Sequence, residues 1–200
     1  MSMLCNALKK PSRRLVAAAL AAAFSAPASA LVLLGAQSSG ATVATDYSGT
    51  GSLSFDIDFA DASPVSLQYR LEAGDLLSPL GFDAVVRNYT GAGFDYLSFV
   101  LDGVVFASVG SVTRAFGSSQ AEVGGTSAEL IFTPPEFLDV EIGDALGGAG
   151  KVDWTLSLAG RSVGDVISVQ VAPAAVPEPS MPVLVAMALG LAAVASKRRR

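Results

Sequence analysis

Asp56 and Asp58 stand two residues apart in an alternating run, so a strand there projects both carboxylates from one face, with Asp61 just beyond. Glu136, Asp139, Glu141 and Asp144 make a second acidic group, followed by a Gly-rich stretch. Calcium takes about six to eight oxygens from carboxylates, carbonyls and water, and loops at strand ends supply them. Asp56, Asp58 and Asp61 are therefore the calcium candidates, and calcium is the one cofactor these residues suggest. The same acids also read as solvent-facing charge that keeps a β protein soluble and its edge strands unpaired. No EF-hand spacing is present.

Carboxylate catalysis of the glycosidase kind needs two carboxyls about 5–10 Å apart across a cleft. The sequence offers many acids and selects no pair. Histidine is absent and the single cysteine is Cys5. Ser–His–Asp and Cys–His catalysis and His- or Cys-ligated zinc are thereby excluded within this chain. No catalytic residue is assigned, and the expectation is a non-enzymatic protein.

The charge is unevenly placed. Residues 31–176 hold five basic against 17 acidic residues, a net of −12. Such a body repels nucleic acid and attracts cations, so no nucleic-acid partner is expected. The remaining cations gather at the two ends. Lys9, Lys10, Arg13 and Arg14 precede a ten-residue apolar core, Leu15 to Phe24, and Ala28-Ser29-Ala30 follows. That order is a signal peptide over residues 1–30, with Ala28 and Ala30 at the positions signal peptidase reads. Ser12-Arg13-Arg14-Leu15-Val16 faintly resembles a twin-arginine signal, but the general secretory route is favoured. Cys5 lies before the apolar core and leaves with the signal.

Between the ends the pattern is β. Residues 31–45 are small and weakly patterned and read as a flexible segment. Leu53, Phe55, Ile57 and Phe59 alternate with polar residues, as do Val65, Leu67, Tyr69 and Leu71. Further strands are expected at 81–89, 112–116, 128–132, 137–142, 152–159 and 166–171, punctuated by Gly, Pro and Asp. Asp102-Gly103 between two apolar runs predicts a two-residue type I′ hairpin joining 96–101 to 104–109. In that register Phe99 faces Phe106. In 152–159 the inward set is Val152, Trp154, Leu156 and Leu158. Nine or ten strands at this spacing predict an all-β fold, one jelly-roll-like β-sandwich over residues 46–171. Tyr47, Tyr69, Tyr89, Tyr96 and Trp154 fall mostly on apolar strand faces and read as core rather than sugar-stacking residues.

The last stretch has three parts in order: Val176-Pro177-Glu178-Pro179, a 15-residue run over 181–195 without charge, and the basic stop Lys197, Arg198, Arg199 and Arg200. As a helix the run spans about 22 Å, against about 30 Å for a bilayer core. Snorkelling lysine and arginine make a short transmembrane helix workable, and the cations hold that end in the cytoplasm. The body then lies on the exporting side.

This tripartite end, residues 172–200 with its lead-in, resembles the PEP-CTERM sorting signal that bacteria with extracellular polysaccharide place on exported proteins. The same C-terminal segment is also grouped under an ice-binding C-terminal domain label, but the threonines here form no regular array. The resemblance implies that a membrane protease, exosortase, recognises the motif and removes the helix. A plain tail anchor behind a Pro-rich linker is the other reading of these residues. A GPI signal lacks the terminal basic cluster, and a sortase signal requires an LPxTG-like motif that is not present.

The expected chain is therefore an exported protein anchored in the inner membrane by its C-terminal helix before processing, and afterwards at the cell surface or extracellular. Its partners are signal peptidase, exosortase, the membrane and extracellular polysaccharide. The role implied is structural or adhesive. Two other readings stay open: a carbohydrate-binding module, marked by an exposed aromatic row on a sheet face, and a carboxylate-dependent hydrolase, marked by two acids in a cleft.

Overall fold

A computed structural model of the chain describes residues 30–38 and 40–175. They form thirteen strands: β1 (Val32–Ser38), β2 (Val43–Asp46), β3 (Ser52–Phe59), β4 (Val65–Arg70), β5 (Leu80–Asn88), β6 (Phe94–Asp102), β7 (Val105–Ser108), β8 (Val112–Arg114), β9 (Ser118–Gly124), β10 (Ser127–Glu136), β11 (Asp139–Ile142), β12 (Trp154–Ser157) and β13 (Val166–Ala175). A 3-10 turn at Asp75–Leu77 separates β4 from β5. The described chain is all-β, as its alternating pattern requires.

The strands build two sheets. One has six, in the order β1-β4-β13-β6-β10-β9. The other has seven: β2-β3-β5-β11-β8, with β12 pairing β5 and β7. Alternation makes one face of each apolar. In β3, Leu53, Phe55, Ile57 and Phe59 are buried while the residues between them are not. The inner faces meet in one core. Phe99 of the six-stranded sheet meets Phe82 of the other edge-to-face at 5.9 Å, and Phe94 meets Phe59 in the same way at 5.9 Å. Trp154 is fully buried, and its indole N–H donates to the Ser111 carbonyl at 3.1 Å, so its polar handle is satisfied.

Four expectations need correction. Residues 31–45 are not a loose segment: Leu31 is in the core, β1 pairs β4, and β2 pairs β3. Weak patterning there reflects edge strands, which bury little and take their order from a neighbour. The stretch 172–175, read above as the lead-in to the sorting signal, belongs to the body, since it continues β13 along β6 as far as Ala175 opposite Phe94. Pro173 falls beyond the last β4 pair, Val171 with Val65, where one flank is open and a missing N–H is tolerated.

The third correction is the hairpin at Asp102-Gly103. A type I′ turn needs positive φ at both central residues, but only Gly103 has it, at +84°. β6 already has β13 on one side and β10 on the other, so no edge is left for β7. The chain instead crosses to the other sheet, where β7 pairs β12. Phe99 stands opposite Ala128 and Val171, not Phe106. Fourth, Val152 is exposed, because β12 begins only at Trp154. One ladder also departs from an all-antiparallel jelly roll: β3 and β5 run parallel.

Most connections sort to two ends; those after β7 and β11 leave from mid-sheet, where β11 and β12 follow one another along β5. Those following β1, β3, β5, β8 and β10 gather at one end, and β13 reaches its last residue, Ala175, there beside Phe94. Leu31 enters at the other, next to the start of β1 opposite Arg70.

Candidate functional site

The acidic candidates are held by arginine. In the parallel β3–β5 register Asp58 lies beside Arg87. The Arg87 guanidinium donates to Asp56 Oδ2 at 2.7 Å and to Asp58 Oδ1 at 3.0 Å. Those hydrogen bonds, Asp58 first, raise the Arg87 pKa further above its already high value. The two carboxylates are thus drawn together, but around a cation the protein supplies itself. Asp61 is elsewhere, capping the turn before β4 by accepting from the Ser63 amide at 2.8 Å. Hydrogen bonds from Ser63 hold its pKa below the usual carboxylate range. Among the described residues no three acidic groups converge as a metal site.

The second acidic group is paired as well. Glu136 and Arg114 form a buried ion pair, Oε2 to Nε at 2.7 Å, with side chains only 3% and 4% exposed. The Nε–H does not point along the contact, so neither atom gains an aligned hydrogen bond. The attraction is Coulombic. The Arg114 guanidinium meets its other needs by donating to the Ser118 and Pro134 carbonyls, each at 2.8 Å, and it lies over the Phe132 ring at 5.0 Å. Glu141 takes Lys151 as partner. Asp144 turns inward to the Gly148 amide.

These pairs surround a shallow depression on the outer face of the seven-stranded sheet, lined by Val85, Arg87, Thr113, Asp139 and Glu141 among others, with no aromatic side chain. Of the tyrosines expected in the core, only Tyr69 is buried; Tyr47, Tyr89 and Tyr96 are exposed. They do not share a face. Tyr96 is on β6, Tyr89 in the connection after β5, and Tyr47 after β2.

One carboxylate is chemically distinct. Asp83 is buried beside Gly143 and accepts from the Ser52 and Ser54 hydroxyls. Burial pushes its pKa up; the Ser54 hydrogen bond opposes this, and the charges of Asp153 and Asp144 add to it. Its oxygens are engaged by serines and face the protein rather than a cleft.

Arg87 and Arg114 were the residues that spacing could not identify. Their acidic partners are 29 and 31 residues away for Arg87, so the link appears only once β3 lies against β5. The scarcity of basic residues was the one available signal: with five cations for 17 acids, each is in demand.

The sorting segment begins where the described residues end. β13 is flanked by β4 and β6 over Ser168 to Val171 and continues along β6 alone to Ala175, so the sorting segment is joined to a strand whose middle is interior. Ala30 is the first described residue, and Ala28 lies outside them. Val176, Pro177, Glu178, Pro179, the run 181–195 and Lys197 to Arg200 also lie outside. Among the described residues no helix is long and apolar enough to cross a membrane.

Comparison with curated proteins and with solved structures returns no match. A family model does match: residues 175–200 are those of the PEP-CTERM protein-sorting motif, so this chain carries a PEP-CTERM sorting signal directly after its last strand.

Proposed function

We propose that this chain is an exported β-sandwich protein that exosortase releases to the cell surface or the extracellular matrix, where it serves a structural or adhesive role beside exopolysaccharide. The PEP-CTERM motif implies the exosortase step and an exported, membrane-anchored sorting signal. One observation carries the rest: the body's last strand pairs β6 up to the motif, and the acids singled out above, Asp56, Asp58, Glu136 and Glu141, are held in ion pairs. Signal peptidase acts first, after Ala30, leaving Leu31 to close the core. The chain then stays in the inner membrane through 181–195 until it is cut.

The carboxylate whose pKa is raised, Asp83, is buried and engaged by serine hydroxyls, which favours binding over hydrolysis. The carbohydrate-binding reading rests on exposed Tyr89, Phe116 and Phe137 in end loops instead of on a sheet face. Fractionation of the native host tests the proposal. The parent protein should appear in the surface or extracellular polysaccharide fraction, and Glu178→Ala should remain with the inner membrane. Equal distribution of the two would refute it.

A further inference from the structure

The end of the body from which β13 leaves has five connections, residues 39–42, 60–64, 89–93, 115–117 and 137–138, that carry one charge, Asp61, with exposed Asp95 and Asp139 at the strand ends beside them. It also presents large apolar tips: Phe116 is 72% exposed, Tyr89 64%, Phe137 57% and Leu138 47%.

These tips are held in place. Asn88 Nδ2 donates to the Ala92 carbonyl at 2.7 Å and to the Glu136 carbonyl at 2.9 Å, tying the loop of Tyr89 to that of Phe137. The Phe137 ring lies against Gly93 so closely that a Cβ there would come within 2.8 Å of it. Arg114 bridges the Ser118 and Pro134 carbonyls and ties the loop of Phe116 to the same strand end. Such ordering spends no hydrogen bond on the rings, which stay outward.

We infer that this end docks on the membrane interface, with Tyr89, Phe116, Phe137 and Leu138 seated at the headgroup and upper acyl level of a lipid bilayer. The inference rests on the proposed membrane anchor and adds what the body does beside it. Tether length carries it. Five residues, 176–180, separate Ala175 from the apolar run, and even fully extended they allow about 20 Å. The headgroup layer on each side takes about 5–8 Å of that reach. The end bearing Ala175 is therefore confined to the bilayer surface. Aromatic side chains favour this level of the membrane. Docking would hold the motif at a fixed height above the bilayer until it is cut.

The test uses the full chain in phosphatidylcholine vesicles with the lipid brominated on the upper acyl chain. Trp154 is buried near the opposite end and supplies an unquenched baseline in every sample. Phe137→Trp and Phe116→Trp each add a reporter at the docking end, and Leu77→Trp adds an exposed one at the far end. The added emission of the first two should fall by at least about half relative to unbrominated vesicles, as for rings at the interface, while that of Leu77→Trp is unchanged. Chains that float with the vesicles but show no quenching at 116 or 137, or equal quenching at 77, overturn docking and leave the anchor intact. Chains that fail to float overturn the anchor and docking together. Quenching that requires co-reconstituted exosortase would place a protein surface there and overturn the lipid assignment.

Discussion

Arg114 and Glu136 show what a single buried pair does in this body. Removing one partner leaves the other charge buried without compensation, at a cost of about 3–5 kcal/mol. Arg114→Ala should lower stability in denaturant melts by that amount. The double variant Arg114→Met, Glu136→Leu should recover most of it, because apolar residues of similar volume need no partner. Asp83 makes a pH prediction with a definite sign. Its pKa is raised in the fold, so its contribution to stability is fully present below the unfolded value and is lost as pH rises through the folded one. Asp83→Asn removes that loss. Its Tm at pH 7 should match or exceed the parent's by about 2–4 °C, a shift worth about 1 kcal/mol in a chain of this size, with the gap closing near pH 4. Calcium gives a third test. With Arg87 between Asp56 and Asp58, calcium and magnesium at equal ionic strength should shift Tm equally by screening the acidic surface. A rise specific to calcium at sub-millimolar concentration would contradict this.

At the scale of elements, the crossing after β6 depends on a glycine. Gly103 has φ +84°, and a Cβ there would lie 3.2 Å from the Val166 carbonyl oxygen and 3.3 Å from Ile167 Cγ2. Gly103→Ala should destabilise by about 1–2 kcal/mol, measured by thermal or denaturant melting. The same crossing marks the limit of local sequence reading. Strands β3, β4 and β5 were legible because apolar residues alternate with polar ones along a half-buried ladder. β1, β2 and β9 were not: β2 and β9 are short of large apolar residues, those of β1 are consecutive instead of alternating, and an edge strand is specified by its neighbour. Asp102-Gly103 looked like a hairpin since turn chemistry is local, whereas the competition of β13 and β10 for both edges of β6 is not. The partner of the acidic candidates was hidden for the same reason. Asp56 and Asp58 do share a face, as their spacing requires, but the arginine that claims them arrives from a parallel strand.

For the whole molecule, the sorting segment was legible because it is a linear signal, read in order by charge and hydropathy and needing no tertiary contact. The fold adds its setting. Leu31 enters at one end of the body and Ala175 leaves at the other, so the described chain begins and ends at opposite poles. One residue, Val176, separates the last strand position from Pro177. Exosortase must therefore act close against a folded body, and the released protein should keep β13 whole. The most direct measurement is the intact mass of the protein recovered from a host with exosortase and from one without it. The account predicts, with exosortase, a chain beginning at Leu31 and ending near Pro177-Glu178-Pro179, and without it a membrane-bound chain extending through Arg200. Recovery of the span through Arg200 in both hosts would contradict it.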